Sequence, residues 1–438
     1  MKRYAINTLG CKVNQCESAA MGHHLETAGY KRCQPAAVGD LIVINTCTVT
    51  GKAAMQSRQA IRQAIRGHPE ATIVVTGCYA QTAPDEIQSI PGIDYIVGHG
   101  DKLNLPRILN RPNRSSNDLP LVVHRPADTL HRFACMPSVA PKHRRRAFLK
   151  IQDGCNAMCT YCTVPHARGP SRSMPAGDVI SHLETLGANG FRETVLTGIH
   201  LGAYGQDLKP PSCLANLLKT IAQASTMERL RISSIEPAEV DVEIIESMAD
   251  PSSPLCPHFH IPLQSGDDRV LKRMGRPYSG ARFAEVIQAI NRAIPHAAIG
   301  VDLLVGFPGE TDRAFEQTRD LIASLPVAYL HVFPFSPRKG TPAAGFKDQV
   351  AAQVIKRRCK RMRRLGEKKR AAFYATNIGR RVDLLVETLA DTCHGHPKGI
   401  SDNYIPIHLP EGRVLENSIV TARIDRVESD LTVYASVV

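Results

Sequence analysis

Residues 147–162, AFLKIQDGCNAMCTYC, set a short β-favouring run directly before three cysteines, Cys155, Cys159 and Cys162, spaced C-x3-C-x2-C. AFLKIQ reads as a buried strand. From it onward the chain repeats one unit, a strand and then a helical stretch, and the later strands are TVLTG, RLRISSIEP, HFHIPLQS, IGVDLLVGFP and AYLHVFPF. Eight such units close a (β/α) barrel, so six predict an incomplete, laterally open (β/α)6 barrel over residues 147–346. Functional groups in that architecture stand at the carboxyl ends of the strands. The cysteine triplet follows the first strand, Gly198 and His200 follow the second, and Glu236 follows the third. Gln264 follows the fourth, GFPGE the fifth and FSPR the sixth, a register that agrees with an active site.

The rest of the chain narrows the class. With 438 residues, 43% hydrophobic and 22% charged, it suits two or three globular domains. No apolar run approaches the ~18 residues of a membrane span, so no membrane partner is expected. The start, MKRYAINTLGCKVNQ, turns polar where a secretory signal stays apolar, which predicts a cytoplasmic protein. In that reducing setting, clustered thiols among the thirteen cysteines serve as metal or catalytic groups more often than as disulfides. A net charge of +13 suits a polyanionic partner or a solvated basic face.

Residues 1–100 alternate apolar runs, YAINTL, LIVINTC, TIVVTGC and IDYIVG, with helical stretches at 14–29, 51–67 and 82–90. This predicts an open, doubly wound parallel α/β domain. Cys11, Cys47 and Cys78 stand at or just past three strand ends, which lie along one edge of such a sheet. Any one of them alone reads more readily as a small buried hydrophobe, and three at equivalent places in successive units weaken that reading. Residues 101–146, rich in proline, polar and basic residues, are expected to be a surface linker. Residues 347–376 read as a connecting helix, and 377–438, with turns such as EGR and HGHPKG, as a small β-barrel.

Structural zinc takes four ligands, usually two cysteine pairs, and no second pair stands near 155–162. A 4Fe-4S cluster held by three thiolates keeps one iron open. S-adenosylmethionine chelates such an iron through its amino and carboxylate groups and is reduced to a 5′-deoxyadenosyl radical. Tyr161, an aromatic just before the last cysteine, completes the pattern.

With the stretches NTLGCKVNQCES, VINTCTVT, VTGCYAQ, IQDGCNAMCTYCTVPHARGPSRS, LTGIHLGAYG, HIPLQSGDD, GVDLLVGFPGET and HVFPFSPRKGTPAA, nearly the whole chain resembles the radical S-adenosylmethionine methylthiotransferases. The resemblance implies a radical-SAM barrel, a C-terminal TRAM domain and a second 4Fe-4S cluster on Cys11, Cys47 and Cys78. It implies two uses of S-adenosylmethionine, one to methylate a sulfur at the auxiliary cluster and one to activate an inert C–H bond. A one-electron reductant and a sulfur donor are then required partners. Tyr161, Gly198, His200, Glu236 and Gln264 are the cofactor-binding candidates, with Arg168 a further polar group near the site. His200, Arg168 and Glu236 each read equally as a hydrogen-bonding group within a barrel mouth.

TLGCKVNQCES with NTCTVT resembles the threonylcarbamoyladenosine branch, whose substrate is the adenosine beside the anticodon of tRNA. A ribosomal-protein aspartate and a non-catalytic iron-sulfur RNA-binding role are the alternatives. An unstacked loop base suits such chemistry because it can be splayed into a pocket. Phe333 and Phe335 are stacking candidates, although Phe333 reads better as a buried core residue. The segment 377–438 carries six Lys or Arg against nine Asp or Glu, whereas 356–370 holds ten against Glu367 alone. Arg357, Arg361 and Arg364, with RRR at 144–146, are therefore expected to grip the anticodon-stem backbone, and Asn403 and Tyr404 to add polar contacts.

Overall fold

The computed structural model describes residues 1–33, 39–110, 119–137, 139, 145–224, 226–389, 395–410 and 414–438. Arg144, His394, the EGR turn at 411–413 and residues 111–118 of the expected linker lie outside them. The chain forms two compact units. One comprises Met1–Pro141, Lys150–Met174 and Ser336–Ala344; the other comprises Lys142–Leu149, Pro175–Phe335 and Gly345–Val438.

The first unit is built on six parallel strands in the order β2-β1-β3-β4-β5-β6. They are β1 (Arg3–Thr8), β2 (Lys31–Arg32), β3 (Leu41–Thr46), β4 (Thr72–Gly77), β5 (Tyr95–Val97) and β6 (Leu121–Val123). Every residue of β3, LIVINT, is buried, as a strand covered on both faces requires. Leu41 and Val43 meet Met21 and Leu25 of α1 (Lys12–Thr27). Ile42 and Ile44 turn the other way, onto Ala54 and Ile61 of α2 (Gly51–Gly67). Each such Ile or Leu contributes about 1.5–3 kcal/mol through burial. The Thr50 hydroxyl caps α2, accepting from the Ala53 N–H at 3.1 Å.

The sheet runs past the expected boundary at 100. Helical turns occupy Lys102–Asn104 and Leu105–Leu109, and β6 pairs with β5 inside what composition marks as a linker. Three apolar residues suffice for an edge strand, and the polar sequence around them hides it. Within the expected helix at 82–90 the structure has Pro84–Gln88, where Pro84 starts a first turn, and a separate short helix, α3 (Cys78–Thr82), precedes it. Gly77 joins β4 to α3 at φ +94, where a Cβ would stand 2.4 Å from the Thr46 carbonyl oxygen. That close approach seats Cys78 beside the end of β3.

β7 (Arg146–Lys150) is followed by β8 (Gln152–Asp153), whose antiparallel partner β9 (Arg172–Ser173) closes the cysteine loop in the first unit. In the second unit the strands after β7 are β10 (Glu193–Thr197), β11 (Arg229–Ile232), β12 (His258–His260), β13 (Ala298–Val305) and β14 (Tyr329–Pro334). They form the sheets β11-β10-β7 and β12-β13-β14. Leu230 bridges Leu255, and Ile235 N–H donates to His260 O at 3.0 Å, so backbone contacts continue from one sheet to the other. The six expected strands are present, with β7 and β14 at the edges. Ile299, Val301, Leu303 and Val305 bury the outer face of β13. The helix Ala352–Thr376 covers β14, where Gly366 lets it approach Leu330.

The C-terminal strands β15 (Arg381–Thr388), β16 (Lys398–Ser401), β17 (Pro406–His408), β18 (Ile419–Val427) and β19 (Val433–Val437) close the expected barrel in the order β15-β16-β17-β19-β18. Its core is Val382, Leu384, Val386, Ile405, Ile407, Ile424 and Val433, with Tyr374 from the preceding helix.

Candidate functional site

Cys11, Cys47 and Cys78 converge at the carboxyl edge of the N-terminal sheet. Cys11 caps α1, Cys47 follows β3 and Cys78 begins α3. The Asn14 amide ties two of these turns together, donating to Leu9 O at 2.8 Å and Thr46 O at 3.0 Å. Gly10, at φ +97, leaves room for Cys47, whose Sγ would lie 2.9 Å from a Cβ there. Burial first, then the neighbouring thiols, push Cys78 up to about 12, against the opposing pull of Arg168. Cys47 is pushed up in the same way, chiefly by burial.

Behind the thiols lies a buried ion network that the sequence reading reaches only at Arg168. Glu17 Oε2 is 2.5 Å from Lys102 Nζ, and its Oε1 is 3.0 Å from Arg168 Nη1 and 3.3 Å from Lys150 Nζ. Arg168 Nη1 is also 2.8 Å from Asp153 Oδ1, and its Nη2 donates to Asn14 Oδ1 at 2.7 Å. Lys150 and Arg172 pair with the second Asp153 oxygen at 2.9 and 3.4 Å. Burial alone raises the Glu17 and Asp153 carboxyls, and the surrounding cations outweigh it, holding both well below the usual range. His99 stays neutral, driven down to about 3 first by burial and then by Lys102 and Arg168.

Two carboxylates, Glu17 and Asp153, thus face four cations, Lys102, Lys150, Arg168 and Arg172, an excess of two positive charges in a buried site. Buried charge of one sign calls for a counter-charge. Three thiolates binding a 4Fe-4S cluster would offset part of that excess. Arg338 adds a further cation, donating to Thr48 Oγ1 next to Cys47.

The loop between β8 and β9 carries Cys155, Cys159 and Cys162, each half-buried and none in a disulfide. Ala157 N–H donates to Cys155 Sγ and Val164 N–H to Cys162 Sγ, both at 3.4 Å, the contacts that stabilise thiolate sulfur. Gly154 and Gly169 hold the loop's neck at φ +74 and +73, where a Cβ would fall 2.0 Å from Pro170 O and 1.9 Å from Ala127 O. Tyr161 is half-buried within the loop.

In the second unit, Gly198 follows β10 directly, and His200 Nε2 lies 2.7 Å from Glu239 Oε1. Glu236 is 2.7 Å from Arg276 through Oε1, while its buried Oε2 has no hydrogen-bond partner among the described residues. Such an oxygen suits an ammonium group of a bound cofactor. Gln264 holds φ +66, a conformation uncommon outside glycine, stitched between Asp302 O and Leu304 N at 2.9 Å each.

Several expected RNA contacts are placed differently. Asn403 is fully buried, donating to Asn377 Oδ1 and His296 O and accepting from Ser401 Oγ, so its amide is spent on holding a turn. Tyr404 stacks on His258 at 4.2 Å beneath Arg231. Arg145 and Arg146 pair with Glu416 and Glu387 of the C-terminal barrel, which accounts for part of that barrel's acidity. Arg361 chelates Glu316 at 2.6 and 3.0 Å over the Phe315 ring. Arg357 and Arg364 are exposed. The two phenylalanines exchange roles: Phe333 is 40% exposed, whereas Phe335 is buried edge-on against Phe307.

Comparison with known proteins agrees with this geometry. The family described as Uncharacterized protein family UPF0004 matches residues 3–98, and the Radical SAM superfamily matches residues 149–322. The threonylcarbamoyladenosine tRNA methylthiotransferase MtaB of Bacillus subtilis is 39% identical over 93% of this chain and 90% of its own length. The tRNA-2-methylthio-N(6)-dimethylallyladenosine synthase of Corynebacterium efficiens is 32% identical over 97% and 83%. The solved radical S-adenosylmethionine methyltransferase TsrM from Kitasatospora setae shares the fold, with a TM-score of 0.58 at 16% identity over 78% and 77% of the two chains. The chain belongs to the radical S-adenosylmethionine methylthiotransferases, on their MtaB-like side.

Proposed function

We propose that this chain adds a methylthio group to ring carbon 2 of N6-threonylcarbamoyladenosine beside the anticodon of tRNA. The observation that carries the reading is the near full-length similarity to MtaB proteins of three organisms, at 35–39% identity. Bound to this chain, S-adenosylmethionine and the 4Fe-4S clusters supply methyl transfer to sulfur and the radical that opens an inert C–H bond. Cys155, Cys159 and Cys162 hold the radical cluster; Cys11, Cys47 and Cys78 hold the auxiliary one, with the buried cationic excess as their counter-charge. Glu236, His200, Gly198 and Gln264 of the second unit, and Tyr161 of the first, are the residues offered to S-adenosylmethionine.

For RNA, exposure supports Arg357 and Arg364 as phosphate contacts to the anticodon stem-loop. Arg361 reaches phosphate only by leaving Glu316. Tyr404 and Asn403 act indirectly, by fixing the turn that carries them. Mass spectrometry of nucleosides from cells with and without the gene tests the function: its loss removes the methylthio form and leaves the threonylcarbamoyl form in place.

A further inference from the structure

Three neighbouring barrel strands bring the polar side chains of His260, Asp302 and His331 into contact on one face. His260 of β12 contacts Asp302 Oδ1 of β13 through Nε2 at 2.8 Å, and His331 of β14 contacts the same oxygen through Nδ1 at 3.2 Å. Register fixes the grouping, since Asp302 pairs with His331 and His260 with Gly300, the residue two before Asp302. The opposite faces of these strands carry Phe259, Ile261, Val301 and Leu303, all buried.

The group is graded from closed to open. His260 is 11% exposed, Asp302 22% and His331 53%. Deeper in, the Tyr329 hydroxyl meets His258 Nε2 at 2.8 Å, and Tyr404 stacks on that same imidazole. At the other end Gln264 N–H donates to Asp302 O, which joins the group to a cofactor-binding candidate at a strand end. Asp302 is the shared anion. Burial raises its carboxyl, and the two imidazoles outweigh that effect and hold it ionised. The arrangement leaves His331 Nε2 directed away from Asp302.

An apolar substituent placed against the His260, Asp302 and His331 side chains strips water from them without replacing its hydrogen bonds. A carboxylate does replace them. Threonylcarbamoyl carries a carboxylate, and dimethylallyl does not. We infer that His331, as an imidazolium donating from Nδ1 to Asp302 and from Nε2 to the carboxylate of the substituent on adenosine N6, determines specificity for acidic over apolar substituents. This rests on the proposed function and adds the residue that reads the substrate; Asp302 is a positioning residue and His260 braces it.

The test uses the holoenzyme and two anticodon stem-loop RNAs, one bearing N6-threonylcarbamoyladenosine and one bearing its carboxylate methyl ester. The wild-type protein is expected to bind the acid at least about tenfold tighter than the ester, the usual effect of one charge-assisted hydrogen bond. His331→Gln, at a half-exposed position, should bring the two within about twofold by weakening the acid alone. Asp302→Asn should give an intermediate preference through loss of ring orientation. Full acid preference in His331→Gln, or no preference in the wild type, overturns the inference while the proposed function stands. Failure of the wild type to methylthiolate the threonylcarbamoyl RNA overturns that function and this inference with it.

Discussion

Arg168 and Glu17, 151 positions apart, lie 3.0 Å from each other with side chains 1% and 0% exposed. Arg168 also holds Asp153, two residues before Cys155, and Asn14, three residues after Cys11. One guanidinium thus joins the strand before one cysteine set to the helix that follows the first cysteine of the other.

Glu17→Gln should be costly because it leaves four buried cations facing one carboxylate. Breaking a buried pair from one side costs about 3–5 kcal/mol. Anaerobic thermal unfolding should show a clear fall in midpoint, together with lower iron content. An unchanged midpoint would remove the network from the account of stability.

The two cysteine sets should separate in function. Alanine at Cys155, Cys159 and Cys162 should abolish reductive formation of 5′-deoxyadenosine. Alanine at Cys11, Cys47 and Cys78 should remove roughly half the iron, if each cluster has four irons, and all methylthiolation, while some cleavage of S-adenosylmethionine remains. Cleavage at the normal rate in the first variant, or full iron in the second, contradicts the assignment.

RNA binding should depend on the exposed arginines more than on the braced one. Removing one phosphate-binding side chain flattens the log-log salt dependence by about 0.7–0.9, so Arg357→Gln with Arg364→Gln should lower the slope by about 1.4–1.8. Arg361→Gln should add less, since Glu316 already holds that side chain. Equal slopes for wild type and the double variant, with a large fall in affinity on deleting 377–438, would move the grip to the C-terminal barrel.

Acid stability should fall through Glu193. Burial pushes its carboxyl up, but Arg231 and Arg229 outweigh that and hold it at about 2 instead of 4.5. A carboxyl depressed in the folded state stabilises above its unfolded value, and the contribution is lost as pH falls from about 4.5 through about 2. The gap corresponds to roughly 3 kcal/mol. Denaturant titrations at pH 7 and pH 3 should show a smaller pH dependence for Glu193→Gln than for the wild type; identical dependence counts against this.

Much of this was legible in the sequence where function needs residues close together in the chain or at a repeated place. The C-x3-C-x2-C loop is local, and the strand ends repeat, so the six cysteines, the barrel strands and the doubly wound sheet could be read. Glu17, His99, Lys102 and Lys150 could not be, because each sits alone in its own segment and passes for a solvated polar position. The signal for the His331 group was present but faint: Asp302 is a single polar residue in an apolar strand, His331 stands among apolar neighbours, and His260 alternates with His258 about Phe259. Within the basic helix, Arg358 and Arg361 are already paired with Glu310 and Glu316. Net charge along a segment does not reveal which charges are already paired.

The most direct measurement is liquid chromatography with mass spectrometry of tRNA nucleosides from cells lacking the gene, complemented by the wild type or by the Cys11→Ala variant. The account predicts that 2-methylthio-N6-threonylcarbamoyladenosine disappears, that its unmethylthiolated precursor accumulates, and that only the wild type restores it. An unchanged level of that nucleoside, or loss of a methylthio group from dimethylallyladenosine or a protein instead, would contradict it.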